Sequence, residues 1–360
     1  MARSMVLLFV STVWLPAGLS DDTEWQAEEN RHLKDIRQLT FDANAQGGFL
    51  RAGEAYFSPN GRTIIFQAVR GENPFYQIFT QPLGGGPPRM VSTGRGRTTC
   101  AFFRPDGKKI IFACSHLDPH VDATEAAERK RVAEEAADPA KRRRRYEWVF
   151  DEHMDIFEAD PDGANLKRLT NAPGYDAEGS YSPDGKQIVF CSTRDGNPDL
   201  YIMNADGSNV RQLTNSPGYD GGPFFSPDGK RVIFRSDRKE KDMLQLYVIN
   251  ADGTGERALT DNGGVNWCPY WHPDGRHIIY AFADYSNPNT RPNFDLFLMN
   301  VDSGKTERIT FAPAADVLPV FSPDGKKLMW TSARRGGTKD SQIFIADFLL
   351  APRIAGAEKN

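Results

Sequence analysis

The sequence predicts an all-β protein: a six-bladed β-propeller, closed by an N-terminal strand that completes the last blade, with one helical insertion in blade two. Three observations predict it. A Pro-Asp/Asn-Gly turn recurs six times, as FSPNG at Phe57, FRPDG at Phe103, YSPDG at Tyr181, FSPDG at Phe225, WHPDG at Trp271 and FSPDG at Phe321. An aromatic follows seven positions after each turn proline (Phe66, Phe112, Phe190, Phe234, Tyr280, Trp330), and then Asp or Gln before an apolar pair (Gln77, Asp155, Asp199, Gln245, Asp295, Gln342). Five units close on a hydroxyl residue, at Ser92, Thr170, Thr214, Thr260 and Thr310; the sixth lacks one, and a spare closing run, IRQLT (Ile36 to Thr40), precedes the first turn.

Each unit thus holds four short strand-like runs separated by turn chemistry, because proline presets the first turn position and glycine accepts the left-handed backbone after Asp. A four-stranded sheet cannot bury both its faces alone. Packing six such sheets radially does so, with the aromatics wedged between neighbours. The spare run then supplies the missing outer strand of blade six, and burial of Ile36 and Leu39 contributes roughly 1.5–3 kcal/mol each to closing the ring.

Residues 1–20 carry one basic residue, an apolar run from Met5 to Leu15 and small residues at Gly18 and Ser20, which reads as a secretory signal cleaved after Ser20. That run is shorter than the roughly 20 residues of a membrane span, so a periplasmic or secreted protein without a transmembrane segment is expected. Residues 21–35 form a short N-terminal segment, 36–348 the propeller and 349–360 a tail. The net charge of −4 becomes −5 on loss of Arg3, which argues against nucleic acid as a partner. Cys100, Cys114, Cys191 and Cys268 lack metal or redox spacing and read as buried free thiols.

The repeat, from Asp35 to Phe348, resembles the propeller repeats of the TolB family of the Tol–Pal envelope system. TolB proteins carry an α/β domain ahead of six blades; here about fifteen residues, DDTEWQAEENRHLKD, stand in its place. The resemblance implies a non-catalytic, exported propeller that binds a protein or peptide in the cell envelope, with no cofactor. Similar blades precede hydrolase domains in prolyl-oligopeptidase-like and tricorn-like proteases, but no such domain is expected after the last strand.

A meander places the Pro-Asp-Gly and NADG-type turns on one face of the ring and the variable loops on the other, where binding groups are expected. Seven positions before each turn proline stand Ala52, Thr98, Asp176, Asp220, Asn266 and Asp316; eleven after it stand Arg70, His116, Arg194, Arg238, Asp284 and Arg334. Two readings fit these rings. The Asp and Arg of blades three, four and six form ion pairs within each hairpin, or Asp176, Glu178, Asp220 and Asp316, with Asn266 and the arginines, meet a cation or basic partner segment at the channel mouth.

The loop from Ser115 to about Phe150 predicts a helical arm, with Asp122 and Glu125 as a capping box and Pro139 as its stop. Its basic tract, Lys141, Arg142, Arg143, Arg144 and Arg145, suits phosphates of envelope lipid or an acidic partner. His116, His120 and His153 sit at the arm's roots beside Asp118, Asp151, Glu152 and Asp155; they read as surface histidines, with a zinc or manganese site as the alternative. DPDGAN (Asp160 to Asn165) reads as a turn, because Asn171 stands where a calcium loop needs Glu. No nucleophile elbow, P-loop, dinucleotide fingerprint or zincin helix occurs. A lyase or hydrolase acting on polysaccharide or peptide at the same mouth is the alternative function.

Overall fold

We describe the protein from a computed structural model, which covers residues 22–42, 48–138, 149–286, 289, 292–334 and 341–351. The signal reading of residues 1–20, Pro139 and the basic tract Lys141 to Arg145 lie outside the described residues. Six four-stranded antiparallel sheets form the blades of a propeller. Their innermost strands are Arg51–Phe57, Thr98–Phe103, Asp176–Tyr181, Asp220–Phe225, Gly264–Trp271 and Asp316–Phe321.

Local chemistry repeats from blade to blade. In the turn at Ser182, the Gly185 amide donates to the Ser182 carbonyl at 2.8 Å, Asp184 accepts from the Ser182 hydroxyl and the Lys186 amide, and Gly185 adopts φ 69°. The closing hydroxyl accepts from the second residue of the third strand in every blade: Ile78 to Ser92, Ile156 to Thr170, Leu200 to Thr214, Leu246 to Thr260, Leu296 to Thr310 and Ile343 to Thr40, all at 2.8–2.9 Å. The motif aromatics are the wedges: Phe66, Phe112, Phe190, Phe234, Tyr280 and Trp330 are buried, and each faces an aromatic on its blade's third strand.

Blade six is completed from the chain's beginning. Leu33–Gln38 pairs antiparallel with Gln342–Phe348, with Arg37 opposite Ile345 and Gln38 opposite Phe344, and the Leu39 amide continues the ladder to Ile343 at 2.8 Å. The strand starts three residues earlier than the motif suggested, because fully buried Leu33 joins a cluster with Phe321, Trp330 and Phe348. A register shift between Lys34 and Arg37, with Asp35 at φ 52°, lets both ends of the strand pair.

Among the described residues, two helices stand on the loop side. Helix α1 (Asp22–Glu29) is pinned by Glu29, whose carboxylate accepts from Arg334 at 2.8 and 3.1 Å and from the Phe311 amide at 2.8 Å. Helix α2 (Val121–Ala137) rises from the end of blade two's second strand, on the face opposite the Pro-Asp-Gly corners. The expected capping box does not form: His120 is the N-cap and makes no side-chain cap. Asp122 and Glu125 turn to Arg95 instead, and Glu125 also accepts from the Gly96 amide at 2.9 Å, so charges read as local capping tie the helix to the connection between blades one and two.

Candidate functional site

The outer ring of the channel mouth is built from hairpin ion pairs. Arg194 donates to both oxygens of Asp176 at 3.0 Å, Arg238 to Asp220 at 2.7 Å and Arg334 to Asp316 at 2.6 Å. Each arginine also lies over its own blade's wedge aromatic, Phe190, Phe234 or Trp330. Burial pushes the Asp176 and Asp220 carboxyls up from the usual range, and the facing arginines oppose it. The other blades fill these positions differently. Asn266 bonds Gln245 and Asn262, His116 packs its ring on Phe157 at 4.6 Å, Arg70 is exposed over Phe49, and Asp284 is exposed.

A second ring lies deeper, and sequence reasoning reached only one of its members. Every innermost strand carries a bulge five positions before its turn proline, at Glu54, Cys100, Glu178, Gly222, Cys268 and Leu318, with φ between 47° and 60°. Five non-glycine residues in left-handed backbone cost about 1–3 kcal/mol each and persist because the ring fixes them. Glu178 is the most heavily bonded. It accepts from the Gly222 amide (2.6 Å), Tyr219 (2.8 Å), Arg235 (2.9 Å) and Tyr175 (3.2 Å).

Arg235 belongs to the second strand of blade four, behind the innermost strand, and reaches the axis where glycines leave room. A Cβ on Gly222 would stand 1.9 Å from its guanidinium, and a Cβ on Gly221 would stand 2.0 Å from the Tyr219 hydroxyl. The fixed cation therefore depends on the GG of DGGPFF, a signal visible in the sequence.

Below this ring the channel has a floor. Three positions before the turn prolines stand Tyr56, Phe102, Phe224 and Tyr270, whose rings meet across the axis: Tyr56 to Phe102 at 5.2 Å, Tyr56 to Phe224 at 5.7 Å and Phe224 to Tyr270 at 5.0 Å. Glu54 lies just above it. Burial pushes its carboxyl up to about 7, with Glu178 pushing the same way, while Cys100 and Tyr56 hydrogen-bond it and Arg235 lowers it.

The insertion's second root overhangs the mouth. Exposed Phe150 packs on Tyr175 at 5.2 Å and Tyr219 at 5.8 Å, bringing blade two across blades three and four. The two roots meet where His153 approaches Asp118 at 3.5 Å, beside a cleft of about 180 Å³ lined by Leu117, Glu152, His153, Asp155 and Arg168. His116 turns away to Cys114, and His120 binds Asp118 only through its backbone amide. Among the described residues, no group of three or more His, Cys, Asp or Glu is placed to hold a metal ion.

The family model of the TolB beta propeller domain matches residues 147–219 and 166–290, together two-fifths of the chain, which run from the outer two strands of blade two to the first two strands of blade five in a ring of six like units. The chain is a TolB-like β-propeller. A TolB homolog of Chlorobium luteolum is 27% identical over 146 residues, 38% of this chain and 33% of that protein, so the match spans about a third of the relative's length. Among solved structures, putative TolB from Agrobacterium tumefaciens superposes with a TM-score of 0.56 at 21% identity, covering 83% of this chain and 90% of that one. An oligogalacturonate lyase from Vibrio parahaemolyticus gives 0.50 at 14% identity, covering 88% and 96%. At such identities the likeness of this TolB-like propeller to either structure is one of fold.

Proposed function

We propose that the protein is an exported, non-catalytic propeller that captures a protein or peptide partner of the cell envelope on its loop face. The observation that carries this reading is the distribution of exposed apolar side chains. Phe41, Leu50, Leu117, Val149, Phe150 and Tyr285 stand on loop-face connections, three of them clustered at the roots of the blade-two insertion with Val132 on its helix, whereas Leu166, Val210 and Leu349 stand singly at the other face and Met90 on the outer strand of blade one. In this reading the Asp176–Arg194, Asp220–Arg238 and Asp316–Arg334 pairs, with Asn266, shape the mouth; Arg70 and the apolar groups meet the partner. Lys141 to Arg145 add attraction to anionic envelope components. Export to the periplasm or beyond rests on residues 1–20; no helix among the described residues is long and apolar enough to cross a membrane.

The test is capture from the protein's own envelope extract by the mature chain, by Phe150→Asp with Leu117→Asp, and by Val210→Asp as a control on the opposite face. A protein retained by the first and third and lost by the second supports the reading. Nothing retained, or equal retention by all three, overturns it. The second reading, a lyase or hydrolase, rests on the His153–Asp118 pair beside its cleft. Turnover of envelope polysaccharide or peptide that disappears in His153→Ala would replace the first reading with the second.

A further inference from the structure

The junctions between neighbouring blades repeat around the turn face, so what fills one shows what another lacks. Four positions after each turn proline stand Thr63, Lys109, Gln187, Arg231, His277 and Lys327. Arg231 of blade four crosses into the next blade. Its guanidinium lies 4.9 Å from the ring centroid of Trp271, the motif aromatic of blade five, and donates to the Gly275 carbonyl of that blade's turn at 3.1 Å. It also stands 4.0 Å from Asp302 in the third-to-fourth turn of the same blade. In two other junctions the residue just before the proline reaches over instead: Arg104 lies beside Gly185 of blade three, and the His272 ring meets Phe321 of blade six at 4.7 Å.

Blade one is short at each of these positions. Thr63 stands in the place of Arg231 and Ser58 in that of Arg104 and His272. Thr80, opposite Ile65, stands where the other third strands carry Glu158 or a large aliphatic residue. The result is a cleft of about 230 Å³ between blades one and two, to which blade one contributes Ser58, Asn60, Thr63 and Thr80, and blade two Phe103, Asp106, Gly107 and Pro161. Phe103 and Gly107 are the counterparts of Trp271 and Gly275, and Asp162, next to Pro161, is that of Asp302. The three groups that hold Arg231 are thus repeated half a turn of the ring away.

The chemistry of the cleft favours one kind of cation. Asp106 is already matched, because Arg104 donates to its two oxygens at 3.0 and 2.9 Å, whereas the exposed Arg89 comes only within 3.9 Å of Asp162. A guanidinium is planar, more weakly hydrated than an ammonium, and stacks on aromatic rings. The lysines at the position of Arg231 behave differently: Lys109 and Lys327 turn to Asp160 and Asp347 of their own blades. We propose that the cleft between blades one and two binds an arginine side chain of a partner protein, its guanidinium set against Phe103, donating to the Gly107 carbonyl and facing Asp162. The site lies on the turn face and goes beyond the capture reading, which concerns the opposite face.

The experiment is calorimetric titration of the mature protein with Nα-acetyl-arginine methylamide and with its lysine and citrulline analogues. The expected result is one site for the arginine compound, at least tenfold weaker binding of the lysine analogue and none of the citrulline analogue. Thr63→Arg supplies the guanidinium from within, so it should abolish binding and raise the melting midpoint. Asp162→Asn, on an exposed turn, should weaken binding several-fold and leave the midpoint in place. Arg231→Ala should lower the midpoint and open a second arginine site, doubling the stoichiometry. Equal binding of the lysine or citrulline analogue overturns the proposal, as does unchanged affinity in Thr63→Arg or Asp162→Asn with an intact melt. A folded Arg231→Ala chain that gains no site overturns it as well, because the same three groups then do not suffice. Loop-face capture by Thr63→Arg should equal that of the mature chain, so the two proposals fail independently.

Discussion

Removing residues 1–41 tests ring closure, because the structure says what the first strand contributes. Leu33 and Leu39 are buried at 0% and 9% exposure, so their loss forfeits roughly 1.5–3 kcal/mol each, about 3–6 together. The Thr40 hydroxyl that accepts from Ile343 adds about 1 kcal/mol, and the ladder to Gln342–Phe348 is lost with it. Arg334, nearly buried, loses Glu29 and keeps Asp316. The sum is comparable with the roughly 5–15 kcal/mol by which folded domains are stable, and it leaves blade six with an open edge. Melting followed by near-ultraviolet circular dichroism and calorimetry should show either no cooperative transition or a midpoint lowered by about 10 °C or more relative to residues 21–360. A peptide of residues 22–41 added in trans should restore part of the loss. Leu33→Ala, the milder perturbation, should cost about 2–5 kcal/mol. A truncated chain melting within a degree or two of the mature protein would refute closure by this strand.

Three further outcomes follow from the same geometry. Glu54→Gln should stabilise the protein at alkaline pH and leave it unchanged near pH 4: a carboxyl raised from 4.5 to about 7 makes the native state lose stability as pH climbs through that interval, by at most about 3 kcal/mol. Melts at pH 4, 6 and 8 with no divergence from wild type would contradict the placement of Glu54. Asp220→Asn leaves Arg238 beside Glu256 but removes a fully buried carboxylate, so the midpoint should drop by several degrees; an unchanged melt with weakened partner capture would shift the mouth ring from scaffold to contact. Gly222→Ala should displace Arg235, take the cation from Glu178 and lower the melt, and a crystal structure with Arg235 still at the axis would count against the threading of that side chain.

What was legible in the sequence is what is decided within a few residues of itself. The turn at Pro183, the Asp or Gln opening each third strand and the hydroxyl closing each fourth are local hydrogen-bond chemistry, so their spacing gave blade number, strand order and even the borrowed strand. The aspartate and arginine rings were found because a hairpin about a known turn fixes which positions oppose. The bulge ring and the aromatic floor were not found, although the same counting reaches them at five and three positions before each proline; an unmarked bulge shifts the register there, and the inward-facing set changes with it. Arg235 was out of reach for a different reason. Its strand position points at the neighbouring strand, and it becomes axial through two missing Cβ atoms thirteen and fourteen residues away. Helix α1 docks through Glu29 onto a residue 305 positions distant, and the misread capping box failed likewise: Glu125 found a stronger partner in Arg95 than in its own helix end.

Six copies of one unit also show which positions the fold does not dictate. Where ring closure and turn chemistry require a residue type, all six blades supply it, as with the closing hydroxyls and the wedge aromatics. The bulge ring has equivalent backbone in every blade yet holds two glutamates, two cysteines, a glycine and a leucine. Backbone need cannot account for that variety, since glycine would satisfy each of these left-handed positions with less strain. The strain is therefore retained for what the side chains place on the axis: a carboxylate bound by Arg235, a second carboxyl that burial holds up near neutrality, and thiols whose protons burial holds in place. Replacing Glu54 and Cys100 by glycine separates the alternatives. A propeller that melts higher and loses partner capture has its ring shaped by binding; one that melts lower has it shaped by packing.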